Sequence, residues 1–496
     1  MTQVTQSVTG GPDATLGSSG GAGSSGAVAA VALATFITAL DNTILNVALP
    51  VMRRELGLST TALEWIGSSY LLSFAGLMLA GGALAERLGR RRVMLVGLTL
   101  FGLASLGASV AETAAALVTL RALMGAGAAL VLPAATAVLA RDVDDTARPL
   151  GTGLATAAAA VALAAGPVGG GALTQLWHWN GVFIVNVPIA FLTAALVAIT
   201  LPDDPPLSWR AVRDLDGGGI AASVLALVAL TWVLLSGGQR GWGSPLVLAG
   251  LAVAVLAVVV FVRGQRRAAT PLLRLDLFTN RVFTGATIAQ LLWGLAINGV
   301  FFFTALYLQD VLGFSPTASG ATLLPLVAML VAGVLAVGWV LRQSGPGAVT
   351  GAGLVLVASG LCFIALQGRS ASFAGLLPAL LLLGLGSALA VPLTSVALAG
   401  LDAGRAADGG AVLITVRAVA GVLGIAVTGA VLVQRQNAQL RHGADAATAF
   451  TSGYQGALVA GAALCLLAAV IAVWALWPVP QPGAVSQPEP VPQRAG

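Results

Sequence analysis

ATFITALDNTILNVALP, Ala34 to Pro50, closes an apolar stretch that begins near Ala27. Twenty-odd residues of Ala, Val, Leu and Ile, rising about 1.5 Å each, are long enough to cross a hydrocarbon core about 30 Å thick. The stretch therefore reads as a membrane span. Asp41 lies inside it, where insertion scales put the cost of an ionised carboxylate at roughly 2.5–3.5 kcal/mol. A carboxylate kept at that depth calls for a partner or a function.

The rest of the chain has the same character. Of its 496 residues 57% are hydrophobic and 9% charged, against about 25% charged in an ordinary soluble domain. Apolar segments recur to the C-terminus, so a secretory signal peptide does not account for them. The net charge of +5 forms no basic domain, because the arginines lie between apolar segments; no nucleic-acid partner is expected. All 24 basic residues are arginine. With the heavy use of Ala and Gly, this points to a bacterium with a GC-rich genome. Without lysine the chain holds neither a Walker A motif nor a Schiff-base lysine. Cys362 and Cys465 lie far apart in apolar segments, and His178 and His442 lack zinc-ligand spacing, so no metal site is expected. GSSGG at Gly17–Gly21 matches a serine-hydrolase elbow in letters but has no strand before it.

Fourteen apolar segments are predicted to span: 27–50, 63–86, 92–111, 114–140, 148–172, 179–200, 217–236, 244–263, 281–310, 317–341, 347–367, 373–399, 407–433 and 453–477. A flexible tail (1–26) precedes them and a Pro-rich tail (478–496) follows. With the N-terminus inside, the cytoplasmic side receives Arg87, Arg90, Arg91, Arg92, Arg141, Arg148, Arg210, Arg213, Arg263, Arg266, Arg267, Arg274, Arg281, Arg342, Arg405 and Arg494. The outer side receives only Arg53, Arg54, Arg240, Arg369, Arg435 and Arg441. That asymmetry follows the positive-inside rule with both termini cytoplasmic, in a multi-pass cytoplasmic-membrane protein. Trp65, Trp177, Trp179, Trp242, Trp474 and Trp477 fall near span ends, as in interfacial belts.

An internal repeat sets the architecture. GAGAALVLPAATAVL from Gly125 matches GLGSALAVPLTSVAL from Gly384 at both glycines, an Ala-Leu pair, the proline and the last leucine. AGPVG from Ala165 echoes AGVLG from Ala420, and GALAERLG from Gly82 faintly echoes GWVLRQSG from Gly338, at offsets of about 255 to 259 residues. Eight spans separate the counterparts, so both copies share one orientation. This is a parallel duplication of a six-helix unit with spans 7 and 8 inserted, as in transporters that rock two halves about a central site.

Several motifs then resemble one family. GGALAERLGRRRVML, Gly81 to Leu95, is similar to the signature loop between helices 2 and 3 of the major facilitator superfamily. Gly82 and Gly89 are expected to permit close backbone approach, while Arg87, Arg90, Arg91 and Arg92 fix the loop in the cytoplasm. Glu86 stands where the family usually has an aspartate that latches the two halves. LDNTILNVALP from Leu40 and LVTLRALMGAG from Leu117 resemble motifs of the fourteen-helix drug:proton antiporters, with Met124 in place of a common glutamine. GTGLATAAAAVALAAGPVGGG from Gly151 matches their fifth-helix motif at Gly153, Gly166, Pro167, Gly170 and Gly171, with Ala162 replacing a glycine. Pro167 is expected to bend that helix and the small residues to let a neighbour approach. WHWNGVFIVNVPIA from Trp177, with Asn186 and Pro188, resembles the sixth helix of the family, and TVRAVAGVLGIAV from Thr415 its late arginine segment.

The resemblance implies an all-α polytopic major facilitator fold: a bundle over 27–200, inserted helices over 201–280 and a second bundle over 281–477. It implies a monomeric antiporter that exports lipophilic small molecules, draws on the proton gradient and needs no cofactor; only protons, substrate and membrane lipids are partners. A proton-coupled importer of a nutrient or metabolite is the alternative, though such proteins more often have twelve helices and lack the GPVGGG segment. An intramembrane enzyme would need a buried nucleophile with its base, or a metal cluster. Asp41, Arg121 and Arg417 are the candidate proton-coupling residues. Asn42, Asn46, Gln290, Trp293, Asn298, Phe301 and Phe302 are candidates for a substrate cavity. Asp41 lies roughly 21 Å into a span running outward, and Arg121 roughly 10 Å into one running back. Both therefore fall at nearly the same depth and could face each other.

Overall fold

The computed structural model describes residues 20–204, 206, 216–268, 271–402 and 405–476. Fourteen helices among them are long and apolar enough to cross a membrane: α1 (Ser24–Glu55), α2 (Thr60–Leu88), α3 (Arg90–Ala108), α4 (Ala114–Arg141), α5 (Arg148–Leu176), α6 (Gly181–Thr200) and α7 (Gly217–Arg240), then α8 (Pro245–Arg267), α9 (Arg281–Val311), α10 (Pro316–Ser344), α11 (Pro346–Ser370), α12 (Phe373–Ala399), α13 (Asp408–Arg441) and α14 (Ala446–Leu476). There is no strand among the described residues. Arg210, Arg213, Trp477, Arg494 and the C-terminal tail lie outside them.

The expected spans are found, with corrections at some ends. Helix is already present at Gly20, ahead of the boundary expected at 27; the bare Gly26 leaves room there for the Thr200 side chain of α6. Helix α13 runs on to Arg441, so Arg435 and Arg441 lie on its last turns. Its QRQNAQLR segment is polar, which ends a hydropathy signal, yet Gln, Arg, Ala and Leu are good helix formers. Helix α14 starts at Ala446 because Asp445 caps it, its carboxylate accepting from the Thr448 N–H at 2.9 Å and the Thr448 hydroxyl at 2.7 Å. Of the tryptophans, Trp177, Trp242 and Trp474 are exposed at span ends, whereas Trp179 is buried in the core. Prolines explain the interruptions: α6 breaks at Val185 ahead of Pro188, α10 at Leu323 ahead of Pro325 and α12 at Val391 ahead of Pro392, where no N–H returns to the preceding turn.

In the first half α2 packs on α4, α1 on α5 and α3 on α4; in the second, α11 packs on α12 and α14, and α9 on α13 and α14. Helix α7 lies against both α2 and α13, so the inserted pair touches both halves, with α8 outside it on α7.

The core has the shape of a V. At the end where α1 begins and α14 finishes (the terminal end), each half has its own core, one around Ala30, Met94 and Val138, the other around Phe283, Leu354 and Ala472. At the far end a single core runs through both halves, joining Ile44, Ile66 and Phe183 to Phe302, Tyr307 and Leu458. Contacts across the halves gather there. Gln309 on α9 donates to the Val47 carbonyl of α1 at 2.8 Å, and Arg53 and Arg54 meet Asp310 at 3.4 and 2.9 Å.

Candidate functional site

Asp41 and Arg121 meet. Arg121 Nη1 donates to Asp41 Oδ2 at 2.5 Å, and each residue is only 1% exposed. Three further groups complete the arrangement. Asn186 Nδ2, on α6, donates to the other carboxylate oxygen at 2.8 Å. Arg121 Nε reaches the Ile66 carbonyl at 3.4 Å, and its guanidinium lies 4.5 Å from the centre of the Tyr70 ring. The local fold explains how these come together. A side chain at Gly125, one turn past Arg121, would collide with the Tyr70 carbonyl and Ser73 Oγ; its absence draws α2 onto α4, where Ser73 Oγ donates to the Ala122 carbonyl at 2.6 Å. Met124 is buried in the apolar core.

Chemically this is a carboxyl group held by one cation and one amide and shut off from solvent on all sides. Removing either charge alone would leave the other buried without compensation. The Asn186 amide oxygen is also buried and has no donor, so the amide can offer an acceptor in the same place.

The other candidates scatter. Arg417 lies in the second half, apart from the pair; it is exposed and its Nη2 donates to Thr394 Oγ1 at 3.4 Å. Thr394 donates to Gln290 Oε1 at 3.4 Å, and Gln290 Nε2 to the Leu413 carbonyl at 3.4 Å. Gln290 is therefore a buried link behind Arg417, not an open cavity residue. Phe302 is buried as well, its ring filling the space that a side chain at Gly67 of α2 would need; it belongs to the contact between halves. Asn42, Asn46, Trp293, Asn298 and Phe301 are half-buried, with the Asn298 amide turned back onto the Gly294 carbonyl at 2.8 Å.

The signature loop is held by carboxylates that the sequence did not single out. Arg90 forms a two-pronged pair with Asp142, Nε to Oδ2 at 2.7 Å and Nη2 to Oδ1 at 2.5 Å. Arg91 pairs with Asp203. Asp204 accepts from the backbone N–H of Arg91 and Arg92 at 3.3 and 2.6 Å, capping α3. Gly89 is needed twice over: its φ is 102°, and a side chain would strike the Asp204 carboxylate. Gly82 is not the close-approach residue. A Cβ there would stand 3.7 Å from Pro133, whereas one at Gly81 would strike the Ala129 carbonyl. Glu86 faces Arg141 at 3.8 Å, both exposed and both in the first half, so it latches nothing across the molecule in this conformation.

The fifth-helix motif has two tasks. Helix α5 continues unbroken through Pro167. Gly166 and Gly170 seat α1 at Thr43 and Ile44, with Thr43 Oγ1 donating to the Ala162 carbonyl at 3.4 Å. Gly171 faces the Pro316 carbonyl of α10, and Gly320 of α10 faces the Pro167 carbonyl. The motif is therefore where the halves touch along α5 and α10.

Residues 31–425 match the model of the Major Facilitator Superfamily. The chain belongs to that superfamily. It is 33% identical to the tetracenomycin C resistance and export protein of Streptomyces glaucescens, over 82% of this chain and 75% of the relative. It is also 33% identical to the puromycin resistance protein pur8 of Streptomyces alboniger, over 90% of each, and 32% identical to the multidrug efflux pump LfrA of Mycolicibacterium smegmatis, over 81% and 79%. Among solved structures it is similar to a bacterial homologue of the human lysosomal transporter Spinster, with a TM-score of 0.68 at 15% identity over 91% of this chain and 97% of that one. A transporter of the POT family gives 0.66 at 14% identity, over 90% and 94%. These two likenesses bear on the fold, which they share with this chain.

Proposed function

We propose that this protein is a proton-driven antiporter that exports lipophilic small molecules, antibiotics among them, across a bacterial cytoplasmic membrane, with transport rather than catalysis as its work. The observation that carries the reading is the sealed Asp41–Arg121–Asn186 cluster beside a core split at one end, in a chain resembling named antibiotic exporters across most of its length. The arginine asymmetry supports a cytoplasmic terminal end, and on that orientation the V opens inward.

The chemistry follows from the cluster. In the inward-open form Asp41 has given up its proton and is held by Arg121. Once the halves rock, water from the outer side reaches the carboxylate, and a proton displaces the ion pair. The protonated acid needs an acceptor, which the Asn186 amide supplies by turning its unpaired oxygen toward it. Arg417, exposed at the wall of the cleft, is the group that greets substrate or its counter-charge in the second half. The proton gradient is the only driving force required, with no cofactor and a single chain as the working unit.

A susceptibility panel of chemically diverse antibiotics and dyes in an efflux-deficient host tests this. Expression should raise the tolerated concentration of several apolar compounds, and each should provoke proton movement in everted vesicles. An unchanged panel together with proton-coupled uptake of a nutrient would favour the importer instead.

A further inference from the structure

The first turns of α2 hold a second buried carboxylate. Glu64 is 2% exposed, and its Oε1 has no hydrogen-bond partner. It projects across the junction of the halves into a notch on α13: a side chain at Gly429 would collide with Glu64 Oε1 and lie 3.3 Å from the Phe303 ring. Ser68, one turn further along α2, is fully buried with its hydroxyl also unpaired. Unpaired buried oxygens recur at this junction, at Gln309 on α9, Thr174 on α5 and Ser319 on α10. Buried polar atoms ordinarily find partners. A surface carrying several that do not is a surface made to be wet in another conformation.

No charged group relieves Glu64. On α4, Arg121 is occupied by Asp41 and turns its Nε to the Ile66 carbonyl. On α13, the Arg435 stem packs on Gly456 of α14, and Arg417 lies about three turns deeper. On α7, Arg240 lies over the Trp232 ring at 6.0 Å. On α9, Asp310 holds Arg53 and Arg54 of α1, and Glu55 of α1 faces His178. Tyr70 faces Arg121. Among the described residues no cationic nitrogen comes within ion-pair distance of the Glu64 carboxylate.

We propose that Glu64 is a proton-operated closure group: the far end closes over it only when it is neutral. An unpaired carboxylate anion pressed against Gly429 and an aromatic ring is costly, whereas the neutral acid fits the notch. When the far end opens, Glu64 meets the adjoining solution and ionises; closure then requires it to take a proton back. The group returns that proton to the same side at the next opening, so it gates closure and adds nothing to the number of protons carried through. The antiporter reading enters only in naming that solution as the outer one. There a raised proton concentration would favour return to the inward-open form, the step that follows drug release.

The test is a distance measurement without substrate. Spin labels at Glu112→Cys and Ser370→Cys, exposed on opposite halves at the far end, are placed in a chain carrying Cys362→Ser, Cys465→Ala, Asp41→Asn and Arg121→Gln. Removing the buried pair as a unit isolates the response of the junction and frees no cation to reach Glu64. In lipid nanodiscs the short distance should give way to a longer one as the pH is raised from about 5 to about 9. Adding Glu64→Gln, similar in size and not titratable, should hold the short distance throughout, while adding Ser68→Ala should leave the response in place. A response that persists in Glu64→Gln, or none without it, overturns the proposal. Failure of the exporter reading would appear in the susceptibility panel and not here.

Discussion

The two ends of this molecule are built on opposite plans. At the terminal end the halves stand apart, and each is tied by ion pairs within itself: Arg90 with Asp142 and Arg91 with Asp203 in the first half, Arg274 with Asp276 and Asp408 in the second. At the far end the halves are joined by backbone against glycine at Gly171 and Gly320, by the Phe302 ring against Gly67, and by the Gln309 hydrogen bond and the Asp310 ion pairs to α1, around buried polar atoms without partners. Ion pairs at a water-exposed rim hold loop shape at little cost, whereas glycine contacts give close approach without a lock. The first arrangement suits rigid halves and the second a junction that parts. Asp41 and Arg121 belong to the first half alone, so on the proposed mechanism the charge chemistry is housed in one half and the movement occurs beside it.

Breaking the buried pair should have the largest effect. Arg121→Leu strands Asp41 in the core and should cost about 3–5 kcal/mol, seen as a lowered unfolding transition and reduced yield in detergent. Glu86→Gln, on the exposed rim, should stay within about 0.5 kcal/mol of the parent. Next comes the junction. Gly320→Leu puts a side chain against the Pro167 carbonyl and should wedge the far end open, lengthening the Glu112–Ser370 label distance; Gly82→Ala, which meets only Pro133 at 3.7 Å, should leave it unchanged. Arg90→Ala sharpens the terminal side. Its two-pronged pair is partly shielded, with side-chain exposures of 26% and 11%, so a loss of about 1–2 kcal/mol is expected in a denaturation series.

The smallest effect is a pH dependence. The Arg274 hydrogen bond holds the half-exposed Asp276 carboxyl below its usual value. A carboxyl lowered on folding contributes stability that is present above the ordinary carboxylate range, about 4, and fades as pH falls through the folded value. Arg274→Gln should therefore be slightly less stable than the parent near neutrality at low salt, with the difference shrinking as pH falls below about 4 and being little at high salt. A difference that survives at neutral pH and high salt would mean that the second half's rim is not held electrostatically.

Much of this was legible in the sequence because the membrane imposes lengths. Depth along a helix is rise times residue number, and that arithmetic placed Asp41 opposite Arg121 from residues 80 positions apart. What was not legible depends on rotation and on distant loops. Gly81 and Gly82 differ by one step around α2, and hydropathy does not say which faces Ala129. Asp142, Asp203 and Asp204 cap and pair the signature loop from other loops, where carboxylates are commonplace. Asn186 was read only as part of the sixth-helix motif; the packing of α6 beside α1 brings its amide to Asp41. Glu64 passed unnoticed because it stands at the very edge of the span expected from residue 63, where an acid reads as interfacial, and nothing local reveals that α13 closes over it.

The measurement that bears most directly on the central claim is proton release from everted vesicles on addition of an exported compound, compared between the parent and Asp41→Asn. Amide and carboxylate are similar in size, but only one titrates. The account predicts that Asp41→Asn, less stable because Arg121 loses its counter-charge but keeping an amide oxygen to accept from it, still inserts and binds the compound, yet gives no substrate-dependent proton release and no uphill transport. If Asp41→Asn releases protons and pumps against a gradient like the parent, the coupling does not reside at Asp41 and the account is contradicted.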